Sequence, residues 1–323
     1  MSGRKNRFQR VNCGRGACST GIGMPEYPDI IVYREGLERR IRGERLTGIR
    51  LMNPFLLRSV IPRPEEVTGR TIVGVHAVGK RIAIEADGSF YLVLHLMIAG
   101  RLHWKPSGSA VPKKIGHAAF DFSPGTLLFT EAGTKKRASL HILQGVDALK
   151  SVDPGGIDVF EGGLEEFSAR LRKENHTVKR SLTDPRLFSG IGNAYSDEIL
   201  HRARLSPLKL TQKLSHQEIE SLFRSCRDVL QEWTERLRKE TGEGFPEKVT
   251  AFRPEMAVHG KYKSPCPVCG TPVQRIAYAE NECNYCPRCQ TDGKLLADRA
   301  FSRLLKDDWP KTIEEWEEGR RGR

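Results

Sequence analysis

The chain lacks any long run of apolar residues. None of its 323 residues lies in a stretch of the roughly 18 consecutive apolar residues that a membrane-spanning helix needs. The first 23 residues lack the apolar core of a secretory signal, and they contain no acidic residue. We therefore expect no membrane partner, and we expect residues 1–24 to be a basic leader that is disordered or absent from the mature protein.

Acidic residues are outnumbered along the chain. There are 40 Asp and Glu residues against 53 Lys and Arg residues, which gives a formal net charge of +13 and a pI of about 9.5. The leader contributes only part of this excess, so the rest of the chain is basic in its own right. A basic surface favours a polyanionic partner, most often nucleic acid, although RNA or a membrane surface would also fit the charge alone.

Cysteine is too scarce and too clustered for a disulfide framework. Among the eight cysteines, the C-x2-C pairs Cys266/Cys269 and Cys286/Cys289 are separated by sixteen residues. Four thiolates on two tight knuckles provide the tetrahedral set that one structural Zn²⁺ ion requires in a reducing compartment. Cys283 shares the C-x2-C spacing with Cys286, but the similar knuckles CPVC and CPRC favour the outer set.

The amino-terminal part of the chain alternates between apolar and polar residues. After a helical pattern at 29–41, strand-like segments run from Thr71 to Trp104, continue through AAFDFSPGTLLFTEA and end with ASLHIL. Asp87-Gly88 and Pro124-Gly125 mark two hairpin turns. This pattern predicts a β-sandwich catalytic domain at 25–146 with a leading helix.

Beyond the break at 153–156 the strand pattern disappears. Helical periodicity predicts a separate helical domain at 157–262, and a cysteine-rich module at 263–292 follows it. Residues 293–323 are expected to form a helix at Leu295–Leu305 and a charged tail. The predicted fold class is therefore α+β and multidomain. The helices expected in the central domain are 164–174, 177–183, 193–202 and 215–240.

A Gly-Ile-Gly turn begins one of these helices, in the segment SGIGNAYSDEIL. Gly190, Gly192 and Asn193 place backbone N–H groups at a helix N-terminus, where an anion such as a DNA phosphate binds well. The same pattern also occurs in ordinary helix–helix turns, but basic neighbours favour DNA. These neighbours are Lys179, Arg180, Arg186, Arg202 and Arg204.

Five motifs follow one another between residues 24 and 291. They are Met-Pro-Glu-Tyr-Pro-Asp at 24–29, Gly79-Lys80, HLMIAGRL at 95–102, SGIGNAYSDEIL at 189–200, and the cysteine module that ends in Cys289-Gln290. In this order they resemble the formamidopyrimidine-DNA glycosylase and endonuclease VIII family of base-excision repair enzymes. The resemblance implies a β-sandwich, a helix-two-turn-helix domain and a zinc ribbon, with DNA held in the cleft between the halves.

The resemblance also implies roles for individual residues. In this family the initiator Met is removed and the exposed proline amine attacks the sugar, so Pro25 would be the nucleophile and Glu26 the general acid/base. An α-amino group titrates near roughly 7.7 to 8, which leaves a useful neutral fraction at physiological pH. Lys80 would bind the phosphate next to the lesion and complete the catalytic set. The implied supporting and DNA-binding residues are Asp29, Lys179, Gly190, Gly192 and Asn193.

The chain departs from the formamidopyrimidine-type pattern where family members fill the gap left by an extruded base. Met97-Ile98 stands where Gly-Met is expected, and the loop at 131–137 replaces an Asp-Pro-Arg-Arg-Phe-Gly loop. The zinc-ribbon arginine aligns with Asn281. Lesion specificity is thus left open, whereas the residues of the strand-cutting chemistry are retained. Candidate substitute contacts to DNA are Lys135, Lys136 and Arg137.

The sequence thus predicts a bifunctional DNA glycosylase and AP lyase. It would remove damaged, notably oxidised, bases through a proline iminium intermediate and cut the strand by β- or β,δ-elimination. The expected partner is damaged DNA, the expected form is a monomer, and the expected location is the cytoplasm in association with nucleoid DNA. Two alternatives remain: a lyase acting mainly on abasic or single-stranded lesions, and a non-catalytic damaged-DNA-binding protein if the leader stays attached to Pro25.

Overall fold

The computed structural model describes residues 23–247, 249–278, 281–296, 310–315 and 318. Within this part of the chain, eight α-helices and ten strands form an α+β multidomain fold, which confirms the predicted fold class. Most of the predicted leader and most of the predicted helix Leu295–Leu305 lie outside the described residues. None of the helices in the described part is both long and apolar enough to span a membrane.

Helix α1 (Tyr27–Ile41) leads the chain into the fold. Its first turn contains Pro28, and the backbone N–H of Glu26 donates to the Asp29 carboxylate at 3.0 Å, as in a capping box. Tyr33 and Leu37 are fully buried on the apolar face of the helix. The helix begins at Tyr27, two residues earlier than the sequence predicts.

Eight strands form the β-sandwich. The first four are β1 (Leu46–Leu51), β2 (Ile72–Val78), β3 (Arg81–Ala86) and β4 (Phe90–His95), and the others are β5 (Gly100–Lys105), β6 (Gly116–Phe122), β7 (Gly125–Glu131) and β8 (Ser139–Gln144). They make two antiparallel sheets with the orders β1-β6-β7-β5 and β2-β3-β4-β8. Alternate residues of both sheets, such as Ile84, Leu92 and Phe129, pack with α1 in one core.

Short turns set the register of the sandwich. Gly88, with φ of +73°, closes the β3–β4 hairpin, and the segment before Gly125 closes the β6–β7 hairpin, as the sequence predicts. The β2–β3 turn is Gly79-Lys80, so Lys80 lies at the tip of a hairpin. The connection between β1 and β2 contains a 3₁₀ turn (Pro54–Leu56) and the short helix α2 (Pro64–Val67).

The helical domain follows α3 (Val146–Ser151). Its helices are α4 (Leu164–Arg172), α5 (Val178–Thr183), α6 (Asn193–Arg202) and α7 (His216–Thr241), with a 3₁₀ turn at Thr211–Lys213. The predicted helices agree with these bounds to within two residues. Helix α7 begins with a Ser215/Glu218 capping box and ends at Gly242, with φ of +53°.

The zinc ribbon packs beside α6. It consists of the hairpin β9 (Gln274–Tyr278) and β10 (Asn281–Tyr285) and of the short helix α8 (Pro287–Thr291). Residues 310–315 contact the ribbon, since the N–H of Ile313 donates to the carbonyl of Gly293 at 2.9 Å. Ile313 is fully buried, so this part of the predicted tail is docked.

Candidate active site and DNA-binding cleft

The N-terminus of α6 binds the carboxylate of Glu26. The backbone N–H groups of Gly192, Ala194 and Tyr195 donate to it at 2.7, 2.9 and 3.2 Å, and Glu26 is only 3% exposed. A helix N-terminus binds anions because its first N–H groups have no acceptor within the helix. The side chain next to Pro25 is therefore held in place by the helical domain.

The anion at the glycine turn is thus a protein carboxylate, and this corrects the prediction of a DNA phosphate at Gly190 and Gly192. Both glycines are buried. A Cβ on Gly192 would lie 2.4 Å from Cδ of Glu26, and a Cβ on Gly190, whose φ is +74°, would lie 2.8 Å from Cβ of Tyr27. The glycines are needed because α1 approaches the turn so closely.

Lys80 reaches the same point from the β2–β3 turn. A Cβ on Gly192 would lie 2.6 Å from its Nζ atom, so the ammonium group is close to the Glu26 carboxylate. Burial lowers the pKa of Lys80, and the negative charge of Glu26 opposes this shift. Glu26 and Lys80, which the sequence predicts from two separate motifs, therefore lie close together at one site.

Asp29 lies behind Glu26 and not on the DNA-binding surface. It is 1% exposed, accepts the Glu26 N–H at 3.0 Å, and has an Arg253 guanidinium nitrogen 3.6 Å from Oδ1. Burial raises the pKa of Asp29 to about 6, against the opposing effects of the hydrogen bond from Glu26 and the charge of Arg253. Asp29 therefore fixes the backbone of Glu26 from inside the protein.

Lys179 is also engaged within the protein. Its ammonium group donates to the carbonyl of Asn193 at 3.1 Å, to Oγ of Ser196 at 3.0 Å and to the Asp197 carboxylate at 2.5 Å. Burial alone would lower the pKa of Lys179, but the Asp197 charge outweighs it, and the pKa is raised. Because an ammonium group has three N–H donors, Lys179 fixes the first turn of α6 and has no donor left for a phosphate.

The predicted basic loop lies between β7 and β8. Its residues Lys135, Lys136 and Arg137 are exposed at the surface, and the Nζ of Lys136 also donates to the carbonyl of Glu131. The carboxylate of Glu131 accepts the Arg137 N–H at 3.0 Å, which holds the loop against the end of β7. The side chain of Asn193 is partly exposed, so it and the loop remain candidate DNA contacts.

The four predicted zinc ligands form one cluster. The Sγ atoms of Cys266, Cys269, Cys286 and Cys289 all lie within 4.8 Å of one another, as four thiolates around one tetrahedral Zn²⁺ ion require. This confirms the prediction of one structural zinc ion. Cys283 lies outside this set, buried in a separate apolar cluster of the ribbon.

Sequence reasoning missed the polar network that joins α6 to the zinc ribbon. Asp197 accepts hydrogen bonds from Nδ1 of His259 at 2.8 Å and from the N–H of Asn284 at 3.1 Å, in addition to Lys179. Burial would lower the pKa of His259, but Asp197 outweighs it and raises the pKa. These partners are 62 and 87 positions from Asp197, so no local sequence pattern predicts the contacts.

The chain matches the sequence profiles of three known domains. Residues 24–135 match the formamidopyrimidine-DNA glycosylase N-terminal domain, and residues 159–242 match the formamidopyrimidine-DNA glycosylase H2TH domain. Residues 263–291 match a zinc finger found in FPG and IleRS. The three profiles fall on the sandwich, the helical domain and the zinc ribbon, respectively, although the first ends before β8.

Whole-length relatives agree with these profiles. The formamidopyrimidine-DNA glycosylase of Pelotomaculum thermopropionicum is 30% identical over 275 residues, which cover 83% of this chain and 99% of the relative. The enzyme of the same name from Thermus thermophilus is 32% identical over 282 residues, covering 84% and 100% of the two chains. A Mycobacterium tuberculosis formamidopyrimidine-DNA glycosylase-like protein is 37% identical over 164 residues, 51% of this chain and all of that protein.

Solved structures show the same arrangement of domains. A Lactococcus lactis FPG mutant in complex with DNA that contains Fapy-dG has a TM-score of 0.73 at 27% identity, covering 83% of this chain and 100% of that one. A complex of Lactococcus lactis Fpg with DNA containing an abasic site has a TM-score of 0.72 at 26% identity, covering 82% and 99%. By its domains, its whole-length relatives and its site geometry, the chain belongs to the formamidopyrimidine-DNA glycosylase family.

Proposed function

We propose that this protein is a base-excision repair DNA glycosylase with AP lyase activity, in which the nitrogen of Pro25 is the nucleophile. The observation that carries the proposal is the Glu26 carboxylate, which three N–H groups of α6 hold beside Pro25 and near Lys80. A general acid/base works only when it is fixed within reach of the reacting group. Relatives in complex with Fapy-dG and abasic DNA support damaged DNA as the substrate.

The chemistry requires a free amine at Pro25. Its nitrogen attacks C1′ of the damaged nucleotide, and the base leaves and takes a proton from water. Glu26 accepts the proton that the Pro25 nitrogen loses and passes it to the sugar ring oxygen, so that the ring opens to an iminium ion. The positive iminium nitrogen acidifies the C2′ proton, which permits elimination of the 3′ phosphate. A second elimination on the 5′ side can follow. In this proposal Lys80 binds the phosphate beside the lesion.

The other parts of the molecule support this reaction. Zinc is structural, because four cysteine ligands leave no open coordination position for water. The proposal includes a monomeric enzyme, since one copy supplies the nucleophile, the acid/base and the DNA-binding domain. It also includes a cytoplasmic location in association with nucleoid DNA, where the substrate is found.

Residues ahead of Pro25 would prevent the reaction. A proline nitrogen that is acylated by Met24 is an amide without a usable lone pair. The carbonyl of Gly23 accepts a hydrogen bond from Arg101 at 3.0 Å, and a Cβ on Gly23 would lie 2.0 Å from Cβ of Ala251. An attached leader would therefore leave the site closely packed around a blocked nitrogen, as in the non-catalytic alternative.

Borohydride trapping on an abasic oligonucleotide tests the proposal. We expect a covalent adduct with protein that begins at Pro25 and none with the full 323-residue form. Pro25→Gly should keep DNA affinity but slow adduct formation. Absence of an adduct from the Pro25 form, with DNA binding intact, would overturn the enzymatic proposal in favour of a damaged-DNA-binding protein.

A further inference from the structure

The connection between β1 and β2 exposes several large apolar side chains. Met52 is 59% exposed, Phe55 77%, Val60 85% and Ile61 77%. Single exposed apolar residues are common, but four such residues within ten positions form a patch of the kind that marks a binding surface. We call residues 52–63 the apolar ledge.

The backbone of the apolar ledge is anchored to both sheets. The N–H of Asn53 donates to the carbonyl of His117 in β6 at 3.2 Å, and the N–H of Arg58 donates to the carbonyl of Leu140 in β8 at 2.9 Å. Leu56 between them is fully buried in the core of the sandwich. The apolar side chains are thus presented to solvent from a fixed backbone, which lowers the entropy cost of binding.

A chain of hydrogen bonds joins the apolar ledge to the basic loop. The amide nitrogen of Asn53 lies 3.0 Å from Nδ1 of His117, whose Nε2 lies 2.9 Å from the Glu131 carboxylate. That carboxylate accepts the N–H of Arg137. His117 and Glu131 are 2% and 1% exposed, so the contact is buried. This buried chain of hydrogen bonds therefore holds the apolar ledge and the candidate DNA-binding loop against the same pair of side chains.

The apolar ledge itself carries only positive charge, and two exposed acidic residues follow it in α2, where Glu66 accepts the backbone N–H of Arg63 at 2.7 Å. Residues 52–63 include Arg58 and Arg63, both exposed, and no acidic residue. In the described part of the chain neither guanidinium group has an ion-pair partner within 4.0 Å. Exposed apolar side chains with neighbouring cations match a ligand that offers apolar faces and negative charges together.

Single-stranded nucleic acid has this combination. In a duplex the faces of the bases are stacked away from side chains, whereas unpaired bases stack on aromatic rings and their phosphates bind Arg and Lys. We propose that the apolar ledge binds unpaired nucleotides of DNA beside the catalytic cleft, with Phe55 stacking on a base and Arg58 and Arg63 binding phosphates. The inference rests on the proposed function only for the choice of DNA, since base extrusion and strand cutting leave unpaired nucleotides near the lesion.

Fluorescence anisotropy with an undamaged, labelled oligothymidylate and with a duplex of equal length tests this proposal. For the double variant Phe55→Ser/Ile61→Ser we expect about tenfold weaker binding of the single strand and unchanged binding of the duplex. Val73→Ser is the matched control, because Val73 is 43% exposed on β2, away from the apolar ledge. It should bind both probes like the parent protein, and all variants should keep its melting temperature.

Two outcomes would overturn the assignment. Unchanged single-strand binding by the double variant would mean that the apolar ledge contacts another protein. Equal losses on single strand and duplex would make it a general DNA surface. Borohydride trapping is measured separately with the same variants. Failure of the catalytic proposal would therefore not affect the interpretation of single-strand binding.

Discussion

At the scale of single residues, Asp29 is a buried acid close to the proposed nucleophile. Keeping its carboxylate charged there lowers the stability of the fold. Asp29 is 1% exposed, and its Oδ1 atom accepts no hydrogen bond from the described residues, although Arg253 is 3.6 Å away. A carboxylate in such a place is costly to keep charged, and this is why burial raises its pKa to about 6. The other oxygen, Oδ2, accepts the backbone N–H of Glu26 at 3.0 Å.

Asp29→Asn should make stability less dependent on pH. The pKa of Asp29 rises from 3.8 in the unfolded chain to about 6 in the fold, so the native state binds the proton more tightly. Between these values the stability of the parent protein falls as the pH rises, by at most about 3 kcal/mol. The asparagine amide can still accept the Glu26 N–H, but it does not titrate. Urea unfolding at several pH values measures the difference, and an unchanged slope in the variant would contradict it.

Glu26→Gln should lose base excision while DNA binding persists. The amide cannot donate a proton to the sugar as a carboxylic acid does, so we expect a decrease of roughly 10²- to 10⁴-fold in the excision rate. Single-turnover excision from a duplex with an oxidised base measures the rate, and anisotropy on the same duplex serves as the binding control. Excision at the parental rate would contradict the assignment of Glu26 as the general acid/base.

At the scale of elements, the site depends on how closely two helix N-termini approach each other. The start of α1 supplies Glu26, and the start of α6 supplies the N–H groups that bind it. Gly190 and Gly192 have no side chain that would keep the helices apart. Helix α6 therefore holds the Glu26 carboxylate through its backbone, while Lys179 stabilises its first turn from α5.

Gly192→Ala should disable the site. The added Cβ would lie 2.4 Å from Cδ of Glu26 and 2.6 Å from Nζ of Lys80, so at least one catalytic side chain has to move. We expect adduct formation to slow by about 10²-fold, with a loss of roughly 1 to 3 kcal/mol in stability from overpacking. Gly163→Ala is the matched control, because Gly163 precedes α4 in the same way and its Cβ would meet its nearest neighbour at 3.5 Å. Similar activity of the two variants would refute the steric argument.

At the scale of the whole molecule, three units are connected through α6. Its N-terminus binds Glu26 of the sandwich, and Asp197 in its middle binds Asn284 of the zinc ribbon. Near its end, Nε2 of His201 lies 3.3 Å from Sγ of the zinc ligand Cys266. Loss of the metal is thus expected to disturb the ribbon and, through α6, also the position of Glu26 in the active site.

Cys286→Ser should remove zinc, weaken DNA binding and reduce adduct formation. The ribbon has only two small apolar clusters, so we expect it to lose its fold without the metal and to weaken the contact of the protein with DNA. Zinc content and the salt dependence of DNA affinity measure the effect. Cys283→Ala provides the control, since Cys283 lies outside the cluster of four. An equal loss of zinc from the control would contradict the assigned ligand set.

Local sequence information predicted the elements well. Apolar periodicity indicated α1, the sandwich strands from β2 onward and the helices of the central domain, because each depends on residues a few positions apart, whereas β1 (Leu46–Leu51) was not predicted. The spacing of the cysteines predicted the zinc site for the same reason. Motif resemblance brought Pro25, Glu26 and Lys80 into one hypothesis, although they lie on two different elements.

The sequence by itself thus determined the secondary structure, the ligands of the metal and the catalytic class. Only the tertiary structure decided that the glycine turn binds Glu26 and that Asp29 and Lys179 point into the protein. The contact between Glu26 and Gly192 joins residues 166 positions apart, as the packing of α1 on α6 places them. A local pattern shows that a helix N-terminus will bind an anion, but which anion reaches it depends on the whole fold.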